Sequence, residues 1–427
     1  MSENNTKLFT YLCRPLILNH TQMKYIIFLA GMLLATSSFS QQKFLFDASK
    51  AETAGNADWV IDADKWNLDY SPNAHTGGYE SNAQKVPTPS QNNISPNTGE
   101  YYWKGALSAW GVELVKKGYY VETLPYNGDI TYLNPDNLQD LSNYDVFVVC
   151  EPNIKFTGSE KSAIIQFVKD GGGLFMISDH DKSDRNGDGY DSPAIWNDLI
   201  NNNSVANNPF GIKFDYEFFN EQTNNIPNTT NDPLINGSYG KVTRVEFYGG
   251  TSMTLYPNQN SSVKGVVYKE GSSTSGTKNI MCAYATYGTG KVVALGDSSP
   301  ADDGSGDNGD NLYDGWLEDA NGNHRKLIMN GSVWLATPIS AIHNPVSTSI
   351  IISATGKDNA ILFFVKEINP VISYLVSVYD LTGRLMSTTK IASSNHRFKI
   401  TVPVEGLYIY RLSTQSKTIF TGKVMVY

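Results

Sequence analysis

The segment from Ser178 to Pro193, SDHDKSDRNGDGYDSP, holds the residues of this 427-residue chain that are best suited to chemistry. It contains five aspartates and one histidine, and it directly follows the apolar run GGGLFMI. Asp179 and His180 come first, and a histidine beside a carboxylate can serve as a general base or a metal ligand at neutral pH. The alternative for each residue alone is a structural role, because aspartate and serine after a strand also form turns and cap helices.

The second half of the segment has the spacing of a calcium-binding loop. Oxygen-bearing side chains recur with a glycine between them, as in short loops that enclose a hard cation: Asp184, Asn186, Asp188 and Asp191. The pattern resembles the first half of an EF-hand and the loops of dockerins and thrombospondin repeats. The glutamate of loop position twelve is replaced by Ile195, so Asp191 would close the loop early. Hard oxygen ligands favour Ca²⁺ over zinc, and the alternative is a solvated turn of similar composition.

Three more strand-like runs end in acidic side chains. Glu52 lies in the polar stretch after KFLFD, Glu151 follows VFVVC, and Asp297 follows KVVALG. Ligands of open α/β sheets bind at the carboxyl ends of the strands. We therefore expect Glu52, Glu151 and Asp297 to converge with Asp179 and His180. These five residues form the candidate catalytic set, in which they position a metal or a water molecule for attack.

Strand and helix patterns alternate between residues 41 and 337. Short apolar runs indicate strands: KFLFD, YYVETL, YDVFVVC, LFMIS, VKGVVYKE, IMCAYATY and KVVALGD. Other stretches carry apolar residues at helical spacing: EYYWKGALSAWGVELVKKG, SEKSAIIQFVKDGGG and HRKLIMNGSVWLA. The alternation predicts an α/β fold with a doubly wound, mostly parallel sheet and helices on both faces.

The run YDVFVVCEPNIKFTGSEKSAIIQFVKDGGGLFMIS, followed later by YGTGKVVALGDSS, carries a family resemblance. Over roughly residues 43–337 the chain resembles the class I glutamine amidotransferase-like superfamily, and within it the trehalose-utilisation-type and GIFT-type members. The resemblance implies a flavodoxin-like or amidotransferase-like sheet. A true amidotransferase has a nucleophilic cysteine in a G-x-C-x-G elbow, whereas here Cys150 ends the strand and Glu151 follows it. Glutamine hydrolysis is therefore not expected.

Four motifs occur in order near the C-terminus: Asn344-Pro345, VYDLTGR (378–384), GLYIYRL (406–412) and GKVMVY (422–427). Through them residues 344–427 resemble a type A sorting domain of the type IX secretion system. The resemblance implies a small all-β sandwich that engages the type IX secretion machinery, and then release from the cell or attachment to its surface. The short strands and glycine turns also predict a sandwich by themselves, with an ordinary immunoglobulin-like accessory domain as the alternative.

The N-terminus predicts export. From Met23 the chain has a basic Lys24, an apolar run over residues 25–34 and small residues before Gln41, which is the pattern of a secretory signal peptide. The run is too short to span a membrane, so we expect no transmembrane segment in the mature protein. The sequence leaves open whether Met1 or Met23 is the start. The protein is expected to be secreted or attached to the cell surface.

The expected organisation has four parts: an upstream extension and signal peptide (1–40), an amidotransferase-like α/β domain (41–337), a linker (338–343) and the sorting sandwich (344–427). A net charge of −9 argues against a nucleic-acid partner, because little basic charge is available to neutralise phosphates.

Two functions fit these features. The first is a secreted hydrolase that acts on an unknown extracellular substrate and leaves the cell by type IX secretion. The alternative is a non-catalytic extracellular binding or surface protein that calcium stabilises. Geometry distinguishes them: Asp179, His180 and Asp297 gathered in a pocket favour catalysis, whereas side chains that point apart or cap helices favour binding.

Overall fold

The computed structural model describes residues 41–55, 58–63, 84–306, 313–318, 322–338, 351–357, 359–366, 374–391, 396–413 and 418–427. The chain divides into two compact units, Met1–Ile339 and Ser340–Tyr427. The predicted signal peptide and nearly all of the predicted linker lie outside the described residues. Within the described part of the chain, no helix is both long and apolar enough to cross a membrane.

The N-terminal unit contains thirteen strands and five helices in its described residues, and its last nine strands follow one another without a helix between them. Its strands are β1 Lys43–Asp47, β2 Tyr120–Leu124, β3 Val146–Cys150, β4 Gly173–Ile177, β5 Ile212–Phe214, β6 Phe219–Thr223, β7 Asn236–Gly237, β8 Gly240–Lys241, β9 Val245–Gly250, β10 Met253–Leu255, β11 Lys264–Tyr268, β12 Ile280–Tyr287 and β13 Gly290–Leu295. Its helices are α1 Ser108–Lys116, α2 Gly158–Lys169, α3 Ser192–Asn201, α4 Gly315–Glu318 and α5 Asn323–Ala336. Short 3₁₀ turns cover Gln91–Asn93, Glu100–Tyr102 and Leu141–Asn143.

One large mixed sheet organises this unit. Strands β2, β1, β3, β4 and β13 lie side by side in that order and are parallel. Strands β12, β10 and β5 continue the sheet antiparallel, and β11 pairs with β12. The predicted α/β class and the parallel arrangement of the first strands are confirmed. The antiparallel pairing of β12 with β13 has a local cause, since Gly288 and Thr289 alone connect the two strands and a two-residue connection makes a hairpin.

Helices cover both faces of the parallel strands. Successive residues of a strand point to opposite faces, so Phe44 and Leu45 of β1 enter different hydrophobic cores. The core around Phe44 also contains Trp110 of α1, together with apolar residues of α5. The core around Leu45 contains Ile164 of α2 and Trp196 of α3. Burial on both faces explains why these strands read as continuous apolar runs in the sequence.

Gly290 begins β13 at a close approach between the backbone of that strand and α2. A Cβ at this position would overlap the carbonyl oxygens of Val168 and Gly172. We expect Gly290→Ala to lower the free energy of unfolding by about 1–3 kcal/mol, because the backbone must shift to admit the methyl group. Urea denaturation measures the effect. The control Gly158→Ala, where an added Cβ meets nothing within 4 Å, should change stability by less than about 0.5 kcal/mol, and equal stability of both variants would contradict the expectation.

The C-terminal unit is all-β in its described residues. Its strands are β14 Ile351–Lys357, β15 Ala360–Lys366, β16 Tyr374–Tyr379, β17 Leu385–Ile391, β18 His396–Thr401, β19 Gly406–Ser413 and β20 Thr418–Val426. They form two antiparallel sheets, β14-β15-β18 and β17-β16-β19-β20, which share one hydrophobic core that includes Phe363, Val376 and Tyr410. The motif GLYIYRL lies in β19, whereas Asn344-Pro345 lies outside the described residues.

Candidate functional site

A cavity of about 600 Å³ opens at the carboxyl ends of β4 and β13. Asp179 and His180, which follow β4, line it together with Ser298 and Ser299, which follow β13. The remaining lining residues come from several loops and strands: Trp59, Arg185, Phe218, Asn220, Tyr248, Gly249, Asp302 and Tyr313. Two of the strand ends singled out in the sequence therefore meet at one cavity.

His180 is held in one orientation by its backbone and by an aromatic neighbour. Its Nδ1 lies 2.7 Å from the carbonyl oxygen of Asp181. A carbonyl can only accept, so Nδ1 carries the proton and the Nε2 of the neutral ring is an acceptor. Nε2 lies 3.9 Å from Oδ2 of Asp179, and the ring packs edge to face on Phe218 with centroids 4.4 Å apart. Nε2, the proton-accepting nitrogen of His180, therefore faces Asp179, which also follows β4 and lines the cavity.

Asp179 belongs to a buried charge cluster. Arg185 donates from Nε to Glu151 Oε1 at 2.5 Å, and its Nη2 lies 3.5 Å from Asp179 Oδ2. The pKa of Asp179 is raised well above its ordinary value, mainly because the side chain is buried. The carboxylates of Glu151 and Asp297 raise it further, while Arg185 opposes the shift. Asp179 therefore keeps its proton to a higher pH than a solvent-exposed aspartate does.

Glu151 occupies the position directly after β3 in a left-handed conformation, with φ of 53°. Residues other than glycine rarely adopt this conformation, and it marks a backbone that its surroundings constrain. Its backbone N–H donates to the Ile177 carbonyl at 3.0 Å, and Ser298 Oγ donates to its Oε2 at 3.3 Å. Glu151 is fully buried and does not line the cavity, and it contacts the lining residues Asp179, Arg185 and Ser298 from behind.

Asp297 is also buried outside the cavity lining. Its carboxylate accepts backbone N–H groups from Ser299 at 2.9 Å and Tyr248 at 2.5 Å. Burial raises its pKa to about 7, although these hydrogen bonds oppose the shift. Asp297 thereby links the loop that follows β13 to Tyr248 of β9, and this hydrogen bond helps to place Tyr248 in the cavity wall.

Glu52 lies apart from the cavity lining, next to Asp47 at the end of β1. Its Oε2 accepts the backbone N–H of Lys50 at 2.7 Å. Burial and then the carboxylate of Asp47 raise the pKa of Glu52 well above its usual value. Asp47 Oδ2 and Glu52 Oε1 have no donor within the described ranges, and one proton shared between the two carboxyls would satisfy both atoms.

Asp302 supplies a second carboxyl group to the cavity wall. Its Oδ1 accepts the backbone N–H of Gly304 at 2.8 Å, and its Oδ2 accepts that of Tyr313 at 2.6 Å. Burial raises its pKa to about 8 against these hydrogen bonds. At neutral pH the cavity therefore carries less negative charge than its aspartates suggest.

The carboxylates of the predicted calcium loop bind backbone N–H groups. Asp184 accepts from Asp188 at 3.0 Å and from Gly189 at 2.7 Å, and Asn186 Oδ1 accepts from Asp188 at 3.2 Å. Asp191 caps α3 through the Ala194 N–H and also accepts from Lys182. No group of three or more His, Cys, Asp or Glu side chains in the described part of the chain is placed to hold a metal. An ionised carboxylate that accepts one or two hydrogen bonds still has lone pairs with which it can bind a cation, so calcium binding stays a prediction.

Chelation tests that prediction directly. We expect the melting temperature to be higher in calcium than in EDTA, because a ligand that binds only the folded state stabilises that state. At a calcium concentration of a hundred times Kd, the free energy of unfolding should rise by about 2.7 kcal/mol. Asp188→Asn should abolish the response, while Asp129→Asn, at an exposed aspartate outside the loop, should keep it. Identical melting in calcium and EDTA would argue for a solvated turn.

Several cavity residues carried no signal in the sequence. Arg185 lies within the calcium-like spacing, which does not indicate that its side chain pairs with Glu151 and Asp179. Phe218 and Tyr248 come from the antiparallel part of the unit, far along the chain from β4. The Tyr248 ring stacks on that of Tyr313, with centroids 5.0 Å apart and planes 5° from parallel.

No protein-family model matches the chain, and no curated protein matches it. Among solved structures it is similar to the N-terminal domain of mmIFT52, at 12% identity over 69% of this chain and 98% of that one, with a TM-score of 0.38. It is also similar to a β-glucuronidase of Parabacteroides merdae, at 22% identity over 17% of this chain and 12% of that one, with a TM-score of 0.13. A β-glucosidase of Listeria innocua has 11% identity over 90% of this chain and 46% of that one, with a TM-score of 0.15. At these scores none of them defines a shared fold.

Proposed function

We propose that the chain is a secreted hydrolase whose N-terminal unit acts on an extracellular substrate in the 600 Å³ cavity. The observation that carries this proposal is the pairing of His180 with Asp179 in the cavity wall, with Nε2 and Oδ2 3.9 Å apart. The strand order β2-β1-β3-β4-β13, with helices on both faces, supports a doubly wound sheet of the flavodoxin or amidotransferase type.

The two side chains have complementary roles in this proposal. His180 accepts a proton at Nε2 from a water molecule, which attacks the electrophilic atom of the substrate. Asp179, which keeps its proton because of its raised pKa, donates that proton to the leaving group as the scissile bond breaks. Arg185 holds the buried Glu151 and Asp179 in place, and glutamine hydrolysis is not part of this proposal.

A non-catalytic binding protein is the second candidate, and the hydroxyl groups of the cavity favour it. Ser298 Oγ donates to Glu151, and Ser299 Oγ donates to the Tyr248 carbonyl at 3.1 Å. The thiol of Cys150 is buried, and burial raises its pKa well above the ordinary value. Within the described ranges no hydroxyl or thiol is thus activated by His180, so catalysis depends on water as the nucleophile.

Export by the type IX secretion system is proposed from the C-terminal motifs. The two antiparallel sheets around one core support a small β-sandwich in which GLYIYRL and GKVMVY form neighbouring strands, β19 and β20. The signal-peptide pattern before Gln41 supports entry into the secretory pathway.

The test of hydrolysis is turnover of saccharide, peptide and ester substrates by the full chain and by two matched variants. Asp179→Asn removes the proposed acid, and Asp181→Asn changes an aspartate two residues away that does not line the cavity. We expect the parent and Asp181→Asn to be active and Asp179→Asn to lose at least about a hundredfold. Absence of turnover by the parent would favour the binding protein, and equal turnover by all three proteins would show that Asp179 is not the acid.

A further inference from the structure

A second cavity of about 420 Å³ lies beside α3. The side chains that distinguish it are two lysines and two tyrosines: Lys155, Tyr190, Lys213 and Tyr216. Ala194 and the asparagine and aspartate side chains of α3 and its C-terminus complete the lining, so the cavity joins aromatic rings to hydrogen-bonding groups.

The two cavities are neighbours because two chain segments contribute to both of them. Arg185 lines the first cavity and Tyr190 the second, and both belong to the loop between β4 and α3. Phe218 lines the first cavity and Tyr216 the second. Because Tyr216 and Phe218 are two residues apart, their Cα atoms are separated by at most about 7 Å. One ligand of modest length can therefore occupy both cavities.

The rims of both cavities expose aromatic rings. Tyr190, Tyr216, Tyr248 and Phe218 are 42%, 52%, 58% and 65% exposed. Exposed apolar groups gathered at cavities mark binding sites. A saccharide fits them because a sugar ring has an apolar C–H face for an aromatic ring and hydroxyl groups for asparagine and tyrosine.

The second cavity also holds a surplus of positive charge, which comes from Lys155. The Nζ of Lys155 lies 3.5 Å from the centroid of the Tyr190 ring, and no ion pair involves this ammonium among the described residues. The Nζ of Lys213 is 3.8 Å from Asp215 Oδ1 and forms an ion pair with it. The lining carboxylate, Asp198, is already paired with Lys161 at 3.0 Å. An anionic group on the ligand would therefore be attracted to this cavity.

We propose that the second cavity is a subsite for an acidic saccharide unit, carboxylated or sulfated, whose neighbouring unit occupies the first cavity. The inference rests on the proposed function, because it treats the first cavity as the place of reaction. It adds the substrate class, an acidic oligosaccharide or polysaccharide, and names Lys155 and Lys213 as residues that determine specificity.

Affinity electrophoresis tests the subsite without requiring turnover. The full chain carrying His180→Ala is run in gels that contain polygalacturonate, dextran sulfate or unmodified dextran. We expect retardation by polygalacturonate, by dextran sulfate or by both, which identifies the anionic group, and little retardation by dextran. Lys155→Gln and Lys213→Gln should each raise the apparent dissociation constant about tenfold, and added salt should weaken binding further.

Lys169→Gln is the matched control, because this exposed lysine lies at the opposite end of the parallel strands from the two cavities. Its backbone carbonyl accepts the N–H of Thr289, which precedes the first residue of β13. It should bind as tightly as the parent. Equal retardation of all the lysine variants, equal binding to dextran, or no binding at all would overturn the subsite. Binding that persists without turnover by the wild-type chain would contradict hydrolysis and leave the subsite supported. Tyr216→Ala provides a second variant if a lysine substitution impairs folding, as judged by its melting temperature.

Discussion

Turnover should fall by about 10²–10⁴-fold when His180 is replaced by alanine, the range expected for loss of a positioned general base. The fold should tolerate the change, because the side chain is 26% exposed and its hydrogen bond is to the Asp181 carbonyl. The loss should appear mainly in kcat, since the proton transfer takes place in the transition state.

Chemical rescue distinguishes this role from a structural one. The alanine variant leaves space beside Phe218, and free imidazole can enter it from the cavity. Added imidazole should restore part of the activity of His180→Ala and none of that of Asp179→Asn. If the melting temperature is unchanged and activity survives the substitution, His180 is not the base.

Arg185→Met should destabilise the N-terminal unit by about 3–5 kcal/mol, because it removes one partner of a buried ion pair and leaves the other uncompensated. Glu151 is fully buried and Asp179 is 5% exposed at the side chain, and both lie within ion-pair distance of the Arg185 guanidinium. Denaturant unfolding of parent and variant at several pH values measures the loss.

The pH dependence of that loss follows from the sign of the pKa shift of Asp179. Burial and neighbouring carboxylates raise this pKa in the folded state and Arg185 opposes them, so the pKa of Asp179 should rise further without the guanidinium. A raised folded-state pKa contributes stability that is complete at low pH and is lost as pH rises through that pKa. The deficit of Arg185→Met should therefore grow as pH rises through the raised pKa of Asp179, and a deficit that shrinks as pH rises would contradict the ion-pair argument.

Arg325→Met is the matched control for this experiment. Arg325 lies 2.7 Å from Glu113, but Glu113 also has Lys116 at 3.0 Å, so its carboxylate keeps a cation. We expect a loss of no more than about 1 kcal/mol, as for other partly exposed ion pairs. A loss of stability as large as that of Arg185→Met would show that the cost does not depend on leaving a buried carboxylate without a cation.

The sequence by itself determined the parallel strands and the part of the site that is formed by Asp179 and His180, directly after β4. Runs such as VFVVC and GLFMI are apolar at every position, which is typical of short strands buried on both faces. The position of Asp179 and His180 at one sheet edge followed from their place after such a run, because parallel strands end on the same side. These inferences depend on neighbours along the chain, which the sequence shows directly.

Only the tertiary structure decided which polar side chains face the cavity and which are buried behind it. Glu151 and Asp297 come from strand ends like Asp179, yet one is bound by Arg185 and the other by the backbone of Tyr248. Phe218, in the loop before β6, and Tyr248, in β9, reach the cavity from positions far along the chain. Burial, hydrogen bonding and pKa depend on partners that folding brings together over long separations, and no local pattern of residue types records which partner each carboxylate acquires.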